Sequence, residues 1–158
     1  MKNLITIISL FFFLLIQSCG YAPIYGKSQK VNFYIKEINF DNSDNGDKEL
    51  NFFIRSNLNK YLINNGGDAY KIETSIKYEK ISLSKDSSGT TEEYQLSSEV
   101  IFKIAANKTE ILKIKEIFKM NNLDDEFKER EYEKTIKQNM ARTIVSKLII
   151  QLSKFNDS

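Results

Sequence analysis

Hydrophobic positions along the chain change period several times. Residues 4–16 form one apolar run of about 13 residues, with no charged residue in it. From Val31 the pattern alternates. Val31, Phe33 and Ile35 share one phase, which then slips to Ile38 and Phe40. Period two marks a half-buried strand, here Val31 to Phe40, and a slip within it suggests a bulge or twist. Residues 41–47, DNSDNGD, are turn formers. Lys48 to Asn64 then takes helical period through Leu50, Phe53, Ile54, Asn57, Leu58, Tyr61 and Leu62. Asp47 suits its N-cap, and Asn64-Asn65-Gly66-Gly67 its stop.

Three extended segments follow. Ala69 to Lys85 alternates through Tyr70, Ile72, Thr74, Ile76 and Tyr78, then slips to Ile81 and Leu83. Asp86-Ser87-Ser88-Gly89 turns the chain into Glu92 to Ala106, which alternates through Tyr94, Leu96, Ser98, Val100, Phe102 and Ile104. After Asn107-Lys108, Thr109 to Met120 places Leu112, Ile114, Glu116, Phe118 and Met120 on one face. Short turns between such runs predict antiparallel neighbours. The last third, from about Asp124 to Phe155, returns to helical spacing with Ile136, Met140, Ile144, Leu148, Leu152 and Phe155. The predicted fold is α+β: a two-layer sandwich of two helices on a mainly antiparallel four-stranded sheet, in the order β-α-β-β-β-α.

The first apolar run is too short for a spanning helix, which needs about 20 residues. With Lys2 before it, it fits the core of an export signal. A buried helix apolar on all sides is the weaker alternative. The run ends at Ile16-Gln17-Ser18-Cys19, which resembles a bacterial lipobox: an aliphatic residue, a tolerant position, a small residue, then Cys. The thiol would receive a diacylglycerol, and small Ser18 would let a peptidase cut before Cys19. Residues 1–18 are then a cleaved signal peptide, 19–30 a lipidated N-terminus and tether, and 31–158 a single domain. More than one acyl chain is needed for stable attachment.

Composition narrows the function. The 158 residues carry 23 basic and 21 acidic side chains, a balance that argues against a nucleic-acid binder. With no His, a Ser-His-Asp or Cys-His site cannot be built. One Cys forms no internal disulfide and no multi-cysteine zinc site. The 41–47 loop lacks the spacing and closing Glu of a calcium loop. No cofactor or metal is expected, and no nucleophile motif supports an enzyme.

Cys19-Gly20-Tyr21-Ala22-Pro23-Ile24-Tyr25-Gly26 looks like the CGF-x-PLYG opening common in alphaproteobacterial members of the LPS-assembly lipoprotein family LptE, also called RlpB. Tyr21 stands for Phe and Ile24 for Leu. The predicted element order agrees with that family over the whole chain. The resemblance implies a non-catalytic outer-membrane lipoprotein on the periplasmic side. Such proteins plug the large β-barrel LptD and help deliver lipopolysaccharide to the outer leaflet. Gly20, in place of Asp after the cysteine, favours the outer membrane under the familiar sorting rule. Only Cys19 carries over as a family position.

A lipopolysaccharide binder needs Lys or Arg beside apolar surface, because the ligand bears phosphates and acyl chains. Lys71, Lys77, Lys80, Lys103, Lys113 and Lys115 lie on predicted strands and are candidates for that contact. An ordinary solvated sheet face is the stronger reading of these lysines, with lipopolysaccharide contact the sharper alternative. A lipoprotein subunit of another envelope complex is the alternative function.

Overall fold

In the computed structural model the described residues are 32–41, 47–63, 66–106 and 108–156. The signal segment 1–18, Cys19 and the 19–30 tether lie outside them. Strand β1 (Phe33–Phe40) leads into helix α1 (Lys48–Leu58), and strands β2 (Asp68–Lys85), β3 (Thr91–Ala105) and β4 (Thr109–Asn121) follow. Helix α2 (Glu126–Asn156) closes the chain. The sheet order is β1-β2-β3-β4. β1 runs parallel to β2, and the other two pairings are antiparallel. This is the predicted β-α-β-β-β-α arrangement, with α1 serving as the crossover that a parallel pair requires.

Local chemistry accounts for each element. Asp47 sits in extended conformation before α1 and accepts from Leu50 N at 2.8 Å. That bond satisfies one of the donors a helix start leaves open. Leu50, Ile54 and Leu58 recur every four residues and are fully buried. The α-helix stops at Leu58, earlier than the periodicity predicts, and tightens into a 3₁₀ turn at Asn59–Tyr61. The Tyr61 ring stacks on Phe33 at 6.5 Å. Gly67 (φ +90°) then brings the backbone hard against the start of β1. A Cβ there would lie 1.8 Å from Asn32 O. Asp68 N donates to that same oxygen at 3.1 Å, so the close approach opens the β1–β2 pairing.

The phase slip in β1 is a bulge. Register with β2 shifts between Ile35 and Glu37, leaving Lys36 as the extra residue. Phe33 and Ile35 before it, and Ile38 and Phe40 after it, therefore face the same core. The slip in β2 has a different cause. Register with β3 runs unbroken from Tyr78–Ser98 to Ser82–Tyr94. Ile81 faces the other side of the sheet, Leu83 is the extra residue where register shifts between Ser82 and Ser84, and both are exposed.

Both helices cover one face of the sheet. The core joins Tyr70, Ile72 and Ile76 of β2 and Leu96, Val100, Phe102 and Ile104 of β3 to Ile136, Met140, Ile144, Leu148 and Leu152 of α2. At the β2–β3 turn, the Asp86 carboxylate accepts from Ser88 N and Thr90 N, both at 2.8 Å. Asp125 begins α2 in the same way, accepting from Phe127 N at 2.9 Å and Lys128 N at 3.2 Å.

Candidate functional site

Alternation along the strands decides what the uncovered face of the sheet presents. Even-numbered positions of β3, β4 and of β2 up to Ser82 face the helices. Odd-numbered positions face away. Lys71, Lys77, Lys103, Lys113 and Lys115 are all odd, so the open face collects five of the six candidate lysines. Cross-strand register places them in rows: Lys77 opposite Glu99 opposite Lys115, and Glu73 opposite Lys103 opposite Ile111.

Four of these lysines meet carboxylates. Lys71 lies 3.4 Å from Glu37, Lys77 2.7 Å from Glu79, Lys103 2.9 Å from Glu73, and Lys113 2.8 Å from Glu99. Lys115 makes no ion pair within 4.0 Å among the described residues, though its charge acts on Glu99. The hydrogen bond from Lys113 holds the Glu99 carboxyl below its ordinary range, with Lys115 and Lys77 adding to the effect. Lys71 and Lys103 border a shallow depression of about 300 Å³ with Glu37, Asn39, Glu73 and Thr109. Exposed Ile101, Ile111 and Ile117 sit among the charges. A face of this kind offers ammonium groups next to short apolar steps, and exposed pairs like these can exchange partners at little cost.

Lys80 is the exception. It occupies an even position, on the helix side of the sheet, and is separated from the other five. Its ammonium bonds Glu129 at 2.8 Å and Glu133 at 3.0 Å, and lies 4.3 Å from the centre of the Tyr94 ring. Burial works to lower its pKa, but the hydrogen bonds it donates to the two glutamates win and raise it.

Sequence reasoning missed the cluster that Lys80 belongs to. Lys137 is buried and reaches Asp47 at 2.8 Å, Glu133 at 3.2 Å and Glu49 at 3.3 Å. It also lies 4.6 Å from the Tyr78 ring centre. The Tyr78 hydroxyl donates to Glu133 at 2.9 Å. Burial first, and the Glu133 charge second, push that phenol well above its ordinary range. The available signal was Glu133 to Lys137, one helical turn apart and next to the apolar stripe. Beside this network lies an open cleft of about 420 Å³ that includes Glu49, Phe127, Arg130 and Lys134. Every carboxylate in the network already has a lysine partner, which makes it a brace between α1, β2 and α2. Among the described residues no group of three metal-ligating side chains comes together. No described helix is long and apolar enough to cross a membrane.

The described domain is a two-layer α+β fold with one face covered and braced by the helices and one open face that carries a ladder of charges. Solved structures similar to this chain include lipoproteins. One is rare lipoprotein B from Shewanella oneidensis (TM-score 0.53, 20% identity, covering 75% of this chain and 98% of that one). Another is lipoprotein B from Nitrosomonas europaea (TM-score 0.55, 15% identity, 85% and 93%). A third is a minor lipoprotein from Acinetobacter baumannii (TM-score 0.52, 14% identity, 77% and 92%). No protein-family model matches the chain, and no curated protein sequence matches it. At these identities the shared property is the fold, an LptE-like one, in agreement with the resemblance carried by residues 19–26.

Proposed function

We propose that this chain is an outer-membrane lipoprotein, anchored on the periplasmic side through acyl chains on Cys19 after loss of residues 1–18. It assembles with and plugs a large LptD-like β-barrel and aids insertion of lipopolysaccharide into the outer leaflet. The observation that carries this reading is a coincidence of two independent features. A sequence that resembles a lipobox ends at Cys19, and the domain behind it has a fold like that of rare lipoprotein B. The exposed lysines Lys71, Lys77, Lys103, Lys113 and Lys115, beside Ile101, Ile111 and Ile117, support the lipopolysaccharide contact. Lys80 points away from that face and is assigned to the brace instead.

Two measurements test the reading. The intact mass of protein extracted from membranes should correspond to a chain starting at Cys19 plus acyl groups. Cys19→Ser should remove that mass and release the protein from the membrane. Purification of the tagged wild-type chain should recover a large barrel protein. Recovery alone or with a different envelope complex would instead support a lipoprotein subunit of another assembly. Reversing Lys71 and Lys103 to Glu should weaken retention of lipopolysaccharide, and unchanged binding would remove the open face from the mechanism.

A further inference from the structure

Helix α2 changes character at Ile136. From there onward it buries Ile136, Met140, Ile144, Leu148 and Leu152. None of its residues from Glu126 to Thr135 is buried, and Phe127 is 65% exposed. In this first segment the residues that reach the sheet are Glu129 and Glu133, one turn apart. They hold Lys80 at 2.8 and 3.0 Å, and Glu133 also accepts from Tyr78. Charge and hydrogen bonding therefore do here what apolar packing does further along.

Both ends of the segment are fixed. Before it, Asn122 N donates to Glu92 O at 2.8 Å, and its side chain donates to Thr91 O at 2.7 Å. After it come Ile136 and Lys137, both buried. At the junction, the Thr135 hydroxyl donates to Glu131 O at 2.9 Å. Back-bonding of this kind weakens and bends a helix locally.

We propose that residues 126–135 form a strap, clamped by charge, that lifts off the end of the sheet as a unit while the rest of α2 stays docked. Lifting it frees the Lys80 ammonium and the Tyr78 hydroxyl from Glu129 and Glu133. Salt weakens the clamp, though less than it would weaken fully exposed pairs, because the partners are 16–27% exposed. The apolar seam beyond Ile136 is not weakened by screening. Local openings of this sort occur below the free energy of global unfolding.

Hydrogen exchange by mass spectrometry on the full chain in non-ionic detergent tests this. Raising salt from about 0.05 M to about 1 M should accelerate exchange of amides 127–134 roughly tenfold and leave 138–152 unchanged. Lys80→Met should do the same at low salt. Glu129→Gln is a milder variant that keeps Glu133 on Lys80, and it should act in the same direction to a smaller extent. Equal acceleration of both segments, or none in 127–134, would overturn the proposal.

Discussion

Lys137 is the most informative residue to perturb. Its side chain is 9% exposed, and its partners Asp47 and Glu133 are 19% and 17% exposed. Lys137→Met keeps the apolar stem and removes only the ammonium. Removing one partner of a fully buried pair costs about 3–5 kcal/mol, and a surface pair is worth about 0–1. Here the stranded carboxylates keep other donors. Asp47 retains Leu50 N, and Glu133 retains Lys80 and Tyr78. A loss of about 2–3 kcal/mol at neutral pH follows, between those limits. Urea unfolding of the Val31–Ser158 unit, followed by circular dichroism, would measure it. The loss should depend on pH. Burial works to raise the pKa of Glu133, but the bonds from Lys80 and Tyr78 and the charge of Lys137 lower it below 4.5. A carboxyl lowered in the folded state stabilises above its unfolded pKa, and that stability fades as the pH falls through the folded value. The gap between wild type and Lys137→Met should therefore narrow in acid. A loss under about 0.5 kcal/mol at neutral pH, or one unchanged at about pH 3, would refute the reasoning.

Other positions separate backbone geometry from packing. Gly67→Ala should cost about 3 kcal/mol or more, because its Cβ would collide with Asn32 O at 1.8 Å on top of a positive φ. Gly89→Ala, also at positive φ but with nothing within 4 Å, should cost only about 1 kcal/mol; thermal melts of the two variants make the comparison. Leu148→Ala, fully buried in the α2 seam, should lose about 3–4 kcal/mol in urea titration. Ile101→Ala on the open face should lose much less, and equal losses would mean that the assignment of faces is wrong.

Much of this fold was readable from period alone. The slip between Ile35 and Ile38 marked the Lys36 bulge, and Leu50, Ile54 and Leu58 marked the buried side of α1. Strand parity also brought Lys71, Lys77, Lys103, Lys113 and Lys115 to one face. The same parity places Lys80 with Tyr70, Ile72, Ile76 and Tyr78 on the core side. Ile81 and Leu83 disguised this by imitating a change of phase. The reason a lysine is tolerated there was not local. Its partners Glu129 and Glu133 are 49 and 53 residues further along. Lys137 was hidden for the same cause, since Asp47 lies 90 residues away from it and also reads as an ordinary helix cap.

That separation along the chain has a consequence for how the molecule is made. The β2–β3–β4 meander joins neighbours through short turns and can form early. Its inner face stays wet until α2 arrives, because that last helix supplies the largest share of the buried apolar side chains. The brace at Lys137 waits equally long, with Asp47 emerging from the ribosome well before its partner. The order of elements thus acts as a delay, leaving the sheet and its brace unlocked until α2 has been made.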